Sequence, residues 1–172
     1  MQNYAKLRNA QLRKADGRYL QAYPKKPHKM SEEREKMINS LKKIVIPKLR
    51  DLNFKGSFPH FRRFENDKIN LLTFQFDKNG GGFVIEIGNC DKNGFTTHYN
   101  EYIEPTKMTA HFLDAEDRIR IQKNMKTPNS STDDWFRYDK KPLFFFGNIY
   151  EKVSNEVLEK LPIAIKYWNS EH

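Results

Sequence analysis

The spacing of apolar residues changes near Gly56, and this change constrains the fold more than any other feature of the sequence. Before it, apolar side chains recur every three or four residues, as on one face of an α-helix. They are Met37, Ile38, Leu41, Ile44, Val45, Leu49 and Leu52. After it, apolar residues alternate with polar ones, the spacing of β-strands that bury one face. This order predicts a helix followed by an antiparallel meander.

Two long helices are predicted, one before and one after the strands in the sequence. In the first, Ser31 is placed to cap the N-terminus, and the acidic residues after it favour the positive end of the helix dipole. The second covers residues 148–168, where apolar residues return to helical spacing. Pro47 and Pro162 lie inside these segments, and we expect each to kink or restart its helix.

Between the helices, the alternating pattern predicts strands over residues 57–64, 72–76, 83–87, 95–99 and 114–122. The apolar residues 142–146 fit either a strand or the lead-in to the last helix. We therefore predict an α+β fold in a single domain over residues 30–172. Its antiparallel sheet, a meander of roughly four to six strands, is packed on one face by the two long helices.

Three consecutive glycines, Gly80-Gly81-Gly82, raise the question of a phosphate-binding loop. Such a loop joins a strand to a helix N-terminus and is followed by Lys and Ser or Thr. Here the glycines precede the strand residues 83–87, and Lys78 lies before them. The pattern favours the turn of a β-hairpin.

The net charge of +9 is concentrated near the N-terminus. Residues 1–50 hold 14 Lys and Arg against four acidic residues, whereas the other 122 residues hold 17 against 18. We interpret residues 1–29 as a basic, partly helical extension. A solvated tail is the favoured interpretation, and a nucleic-acid contact is the alternative. The residues that would make that contact are Lys6, Arg8, Arg13, Lys14, Arg18, Lys25, Lys26 and Lys29.

Cysteine and hydropathy patterns exclude several classes of protein. Cys90 is the single cysteine, which rules out an internal disulfide and fits a reducing cytoplasm. The chain has no long apolar run and no apolar stretch after its basic N-terminus, so we expect neither a membrane span nor a secretory signal. The five histidines lack metal-ligand spacing, and we expect no metal or other cofactor.

A set of strand motifs resembles a bacterial family of uncharacterised domains, the domain-of-unknown-function family DUF4304. The motifs are the helix end "LRDLNFKG", an aromatic-x-Arg strand in "FRRF", the Phe-Gln end of "LLTFQF", the "FVIEIG" strand, Arg118-Ile119 and Asp134-Trp135-Phe136. In the helix end, the glycine is displaced from the family pattern. The resemblance covers about residues 31–168. It implies an α+β domain and no established activity.

Arg63, Gln75 and Trp135 fall on this family pattern, and they are the candidate contacts for a ligand or partner, although a structural role is favoured for each. The leading hypothesis is a cytoplasmic, non-enzymatic binding module with a protein partner, which the basic extension would favour as acidic. The second is nucleic-acid binding through that extension. An enzyme that uses Glu86 and His98 is the least favoured, because a solvated or salt-bridged strand face explains those residues more simply.

Overall fold

The computed structural model describes residues 14–15, 18–19, 31–128, 130, 134–140 and 147–170. The chain divides into two compact units, residues 1–30 and 31–172. In the first unit, β1 (Lys14–Ala15) pairs antiparallel with β2 (Arg18–Tyr19). The sequence predicts a partly helical extension there, whereas the described residues of this unit are strands. The rest of that prediction lies outside the described residues.

The second unit has two 20-residue helices, α1 (Glu32–Asp51) and α2 (Ile149–Trp168). Its strands are β3 (Lys55–Ser57), β4 (His60–Glu65), β5 (Lys68–Phe76), β6 (Gly82–Asp91), β7 (Phe95–Thr96), β8 (Tyr102–Ile103), β9 (Arg118–Ile121) and β10 (Phe136–Arg137). Three short 3-10 helices cover Pro105–Lys107, Ala110–Phe112 and Ala115–Asp117.

Six of these strands form one antiparallel sheet. The order β10-β6-β5-β4-β3 gives its path, and β9 pairs with β6 on the same side as β10. Strands β7 and β8 pair only with each other among the described residues. Together with the two helices, this arrangement confirms the predicted α+β fold with an antiparallel sheet.

Three predicted strands differ from those observed. The predicted strand 57–64 is two strands, β3 and β4, because the chain reverses at the cis peptide Phe58-Pro59. The predicted strand 95–99 contributes only β7, which lies outside the main sheet. The predicted strand 114–122 is shorter, since a 3-10 helix precedes β9. Residues 142–146 lie outside the described residues.

The first helix begins at its predicted cap, Ser31, and the second is capped by Asn148, where the predicted helix starts. The Ser31 hydroxyl accepts a hydrogen bond from the Arg34 N–H at 3.3 Å, and the Asn148 side chain accepts one from the Tyr150 N–H at 3.0 Å. These bonds satisfy backbone donors that have no partner within the helix. Each helix continues through its proline, so the predicted restart at Pro47 or Pro162 does not occur.

The glycine-rich segment is the turn of the β5–β6 hairpin, as the sequence predicts. Gly80 and Gly81 have φ angles of +88° and +81°, a conformation that favours glycine. Asp77 N–H donates to the Gly82 carbonyl at 3.0 Å and closes the hairpin.

The alternation along β5 and β6 separates the interior into two apolar clusters. Leu72, Phe74 and Ile87 face the helices and form the main core with them. Ile69 and Leu71 face the other way and form a smaller cluster that the segment 95–113 covers. The helix-free face of the sheet therefore has an apolar cluster at one end. Its other residues are mostly polar, together with the buried Val84 and the exposed Phe64.

A buried hydrogen bond joins the two helices: the hydroxyls of Ser40 and Ser154 lie 2.9 Å apart. We predict that Ser154→Ala lowers the free energy of unfolding by about 1–3 kcal/mol, because the buried Ser40 hydroxyl loses its partner. The double change to Ala should be at least as stable as the wild type, since no unpaired hydroxyl remains and Ala favours helix. Urea unfolding of the two single variants and the double variant tests this. A double variant that is less stable than either single variant would contradict it.

Candidate functional site

The most unusual charged residue in the structure is Glu86, which is buried in the middle of β6 with only 1% of its surface exposed. Its Oε1 lies 3.2 Å from Arg120 Nε, and its Oε2 lies 3.2 Å from Arg118 Nη1 and 3.4 Å from His111 Nε2. A carboxylate is costly to bury unless it is paired and hydrogen-bonded. The surrounding cations meet that requirement.

Strand pairing positions the two arginines. In the antiparallel register of β9 with β6, Arg120 is opposite Glu86 and Arg118 is opposite Gly88. Because residues two apart in a strand share a face, both arginines lie on the side of the sheet to which Glu86 points. The sequence signal is the alternation Arg118-Ile119-Arg120-Ile121, which places the isoleucines towards the helices instead.

A close approach brings His111 to the same carboxylate. Its 3-10 helix lies over β5 and β6, and Arg118 Nη1 donates to the Ala110 carbonyl at 3.3 Å. A Cβ at Gly88 would lie 2.3 Å from Leu113 Cδ1 and 2.8 Å from the Asp117 carbonyl oxygen. Only glycine therefore allows this segment to lie so close to β6.

His60 extends the cluster across the sheet. Its ring lies edge-on to that of His111, with centroids 5.3 Å apart, and its Nδ1 is 3.0 Å from the buried Thr73 hydroxyl. Burial lowers the pKa of His60, and the charges of His111 and Arg62 lower it further. Burial and the positive charges nearby therefore both disfavour the protonated form of this imidazole.

We call this surface the Glu86 face and define it by His60, Arg62, Gln75, Glu86 and Arg120, which point away from the helices. In strands β3, β4, β5, β6 and β9, one acidic residue points away from the helices, and it is Glu86. Four basic residues point the same way, and they are Lys55, Arg62, Arg118 and Arg120. Arg120 remains half-exposed, with 51% of its side chain accessible. The face therefore carries more positive charge than its buried carboxylate neutralises.

The three residues of the family pattern lie in different places. Gln75 belongs to the Glu86 face, and its Oε1 is buried with no hydrogen-bond partner among the described residues. Arg63 faces the helices, where its Nη2 lies 2.6 Å from a Glu65 carboxylate oxygen and its guanidinium stacks over Phe54. Trp135 is half-buried just before β10. Their proposed role as contacts stays a prediction.

The pairing of Glu86 with His98 is not what the structure shows. The histidine beside Glu86 is His111, whereas His98 Nδ1 lies 3.1 Å from Asp114 and its ring contacts Tyr99. Sequence spacing could not distinguish these histidines, because both are on segments outside the main sheet. Sequence reasoning missed four residues of the site, and they are His60, Arg62, His111 and Arg120.

Large exposed apolar side chains cluster in the chain segments on this side of the sheet. Phe64 is 52% exposed and points away from the helices, opposite Ile69 in the register of β4 with β5. Phe112 directly follows His111, and Tyr99 and Tyr102 lie at the β7–β8 ribbon. In the part of the chain that the structure describes, these four are all of the large hydrophobic residues that are exposed.

The candidate nucleic-acid contacts are described only in part. Lys14 and Arg18 lie in β1 and β2. Six others lie outside the described residues, and they are Lys6, Arg8, Arg13, Lys25, Lys26 and Lys29. Within the described residues, no group of three or more His, Cys, Asp or Glu is arranged to hold a metal ion, and no helix is long and apolar enough to cross a membrane.

The family model for the Domain of unknown function (DUF4304) matches residues 45–162. The chain belongs to this family. The match confirms the resemblance seen in the strand motifs and runs from within α1 to within α2, so it includes the whole sheet and the Glu86 face. No curated protein and no solved structure matches the chain. Because the DUF4304 description assigns no activity, function has to be argued from the site.

We predict that Glu86→Gln lowers the free energy of unfolding by about 1–3 kcal/mol, because Arg118 and His111 lose a charged partner in a partly buried position. The matched change Glu104→Gln removes an exposed carboxylate paired with Lys107 and should cost less than about 0.5 kcal/mol. Urea unfolding at neutral pH compares the two variants. Equal stability of both would show that the Glu86 cluster has no structural role.

Cys90 should be unreactive in the folded protein. It is buried in β6, and this burial raises the pKa of its thiol to about 12, with a further contribution from Asp91. Since the thiolate is the reactive form, we predict very slow alkylation by iodoacetamide at pH 8 and rapid alkylation in denaturant. Mass spectrometry of timed samples measures both rates. Rapid modification of the native protein would contradict this prediction.

Proposed function

We propose that this DUF4304 protein is a cytoplasmic, non-enzymatic binding module whose Glu86 face binds an acidic segment of a partner protein. The observation that carries the proposal is the surplus of positive charge around one buried carboxylate, next to exposed aromatic residues.

Arg62 and Arg120 supply the positive charge that would attract an acidic partner. Glu86 already has Arg118 and His111 beside it, so the half-exposed Arg120 guanidinium retains donors for another carboxylate. Arg62 points to the same side of the sheet and adds positive charge to this surface. Arginine binds carboxylates through paired, charge-assisted hydrogen bonds, so an Asp or Glu side chain suits this surface.

Phe64 and Phe112 supply exposed apolar surface that a partner protein could contact. Exposed aromatic residues beside arginine are typical of the centres of protein interfaces, where they supply contact area at low entropic cost. A free acidic metabolite would use the arginines and leave these rings exposed to water. An acidic segment that also carries apolar side chains would use both, and we therefore favour a protein partner.

The chemistry of the face supports binding more than catalysis. Both carboxylate oxygens of Glu86 are engaged, and the Thr73 hydroxyl is fully buried and lies beside His60. Cys90 is held as a buried thiol. None of these groups combines exposure to substrate with the activation that a nucleophile requires. A single, buried cysteine is also consistent with the reducing cytoplasm.

Nucleic-acid binding through residues 1–29 is the alternative function, and the concentration of positive charge in that segment favours it. Because counterions are released from the phosphates, the affinity of such binding falls steeply as the salt concentration rises. The two functions use different parts of the chain, and they can be separated by comparing residues 1–172 with residues 30–172.

The test uses a fluorescein-labelled peptide that combines Glu and Asp with Phe, and a labelled DNA of mixed sequence, with anisotropy as the readout. We predict that both chain lengths bind the peptide and that Arg120→Gln weakens this binding about tenfold, the size of an interface hot spot. Lys43→Gln, which removes one positive charge from the exposed surface of α1, should change it less than twofold.

The outcomes separate the proposals. If peptide binding is lost equally in Arg120→Gln and Lys43→Gln, the attraction is non-specific and the Glu86 face is not the site. If only residues 1–172 bind, and DNA competes with the peptide at low salt, the basic segment is the binding element. Unfolding free energies of each variant show whether a loss of binding reflects a loss of structure.

A further inference from the structure

Strand β9 lies at an edge of the main sheet. It pairs with β6 and, in the described part of the chain, with no other strand. An edge strand carries backbone N–H and C=O groups that face away from its neighbour, and these groups can pair with a further strand. β9 is extended from its first residue, since Arg118 has φ −139° and ψ 150°. The backbone of this edge therefore has the conformation that an added strand requires.

Hydrogen bonds at the start of β6 show which way its backbone groups point. Asp77 N–H donates to the Gly82 carbonyl at 3.0 Å, on the side of β5. Tyr138 N–H donates to the Gly81 carbonyl at 3.0 Å, on the side of β10 and β9. Because this direction alternates along an antiparallel strand, the even-numbered residues of β6 bond to β5 and the odd-numbered ones to β10 and β9.

The register carries this alternation to the edge. The two isoleucines of β9 lie opposite Ile85 and Ile87, so their backbone groups bond to β6. The N–H and C=O groups of Arg118 and Arg120 consequently point away from β6, where the described residues place no strand. Together, the two arginines present two backbone donors and two backbone acceptors at the edge.

The side chains of the same two arginines favour acidic residues on an added strand. Arg118 and Arg120 point to the Glu86 face, and their side chains are 25% and 51% accessible. Each guanidinium has five N–H donors, of which Glu86 and the Ala110 carbonyl engage only some. Side chains directly opposite each other on paired strands lie about 5 Å apart, so a carboxylate opposite each arginine would pair with it.

The residue between the arginines favours an apolar neighbour. Ile119 points to the helix side, is partly buried and packs against the main core. An apolar side chain opposite it would extend this packing. Glu116 and Asp117 lie just before β9, and they would repel an acidic residue that extends past Arg118. The edge therefore favours the short order acidic, apolar, acidic.

A second copy of β9 does not fit this edge. Only residues whose backbone groups point outwards can pair across it, so the arginines of one copy would lie opposite those of the other, and like charges directly opposite are destabilising. The edge at β3 is closed in another way, because the Arg50 guanidinium donates to the carbonyls of Phe54 and Gly56. Charge complementarity thus favours an acidic partner strand at β9.

We propose that the partner protein binds as a further antiparallel strand along β9, with acidic side chains opposite Arg118 and Arg120 and an apolar one opposite Ile119. Its backbone exchanges hydrogen bonds with the outward N–H and C=O groups of the two arginines, as in other cases of strand addition to a sheet edge. This inference rests on the proposed function, since it specifies how the acidic segment is bound.

The first test uses a fluorescein-labelled peptide, Ser-Thr-Glu-Val-Glu-Thr-Ser, and two forms of it that carry one N-methyl group. In the bound strand, the N–H groups of both glutamates donate to β9 and that of the valine points to solvent. We expect methylation at the second glutamate to weaken binding to the full chain about tenfold, because it removes a hydrogen bond and places a methyl group against β9. Methylation at the valine, which leaves charge and composition matched, should change the Kd less than twofold.

The second test is amide hydrogen exchange of the full chain, followed by NMR. In the free protein, the amides of Arg118 and Arg120 should exchange faster than those of Ile119 and Ile121, which bond to β6. At a peptide concentration about ten times the Kd, the two arginine amides should exchange about tenfold more slowly. The valine-methylated peptide should protect them equally.

The outcomes distinguish this inference from the proposed function. If both methylated peptides bind as tightly as the parent and Arg120→Gln still weakens binding, strand addition is wrong and the proposed function stands. If the Glu-Asp-Phe peptide binds and the present peptide does not, strand addition is again wrong. If neither peptide binds, both proposals fail.

The exchange rates provide two further ways to overturn the inference. Arginine amides that already exchange slowly in the free monomer would show that another segment of the chain occupies the edge. Protection that grows with protein concentration, together with a dimer in sedimentation, would assign the edge to a second copy.

Discussion

Strands β5 and β6 pair antiparallel along their length, from Lys68 opposite Asp91 to Phe76 opposite Phe83, and the other features depend on this register. Side chains alternate between the two faces of a strand, so a slip of one residue would exchange the faces completely. If β6 slipped against β5, Ile85 would leave the helices and Glu86 would enter the apolar core. The register is therefore strongly determined by the cost of burying that carboxylate without its arginines.

Each face of the sheet contains one group of polar residues in a buried position, and the two groups are satisfied differently. On the helix-free face, Glu86 is compensated by arginines from β9 and by His111. On the helix-facing side, the row of Arg63, Asn70 and Asn89 keeps buried atoms without partners among the described residues. The first arrangement leaves surplus charge at the surface, which suits recognition of a large partner. The second leaves buried polar atoms without such compensation. Departures from local packing rules are expected at functional sites.

Local features of the site could be predicted from the sequence, whereas its contacts between distant segments could not. Sequence reasoning placed Glu86 on a solvated or salt-bridged strand face without naming its partners. The observed partner of Arg118 is Glu86, 32 residues earlier in the chain. His111, not His98, completes the cluster, because the position of its 3-10 helix depends on the close approach at Gly88. Such contacts depend on how segments pack, and no local pattern encodes them.

The sequence by itself determined the two helices and the cap of the first, the hairpin at the glycines, the alternation of the central strands and membership of the DUF4304 family. These features follow from local spacing, backbone preferences and side-chain periodicity, which act over a few residues. Only the tertiary structure decided which polar residues meet, as Arg120 and His111 do at Glu86. The physical reason is that burial and hydrogen bonding depend on neighbours from distant segments, and these neighbours exist only when the strands and helices have assembled.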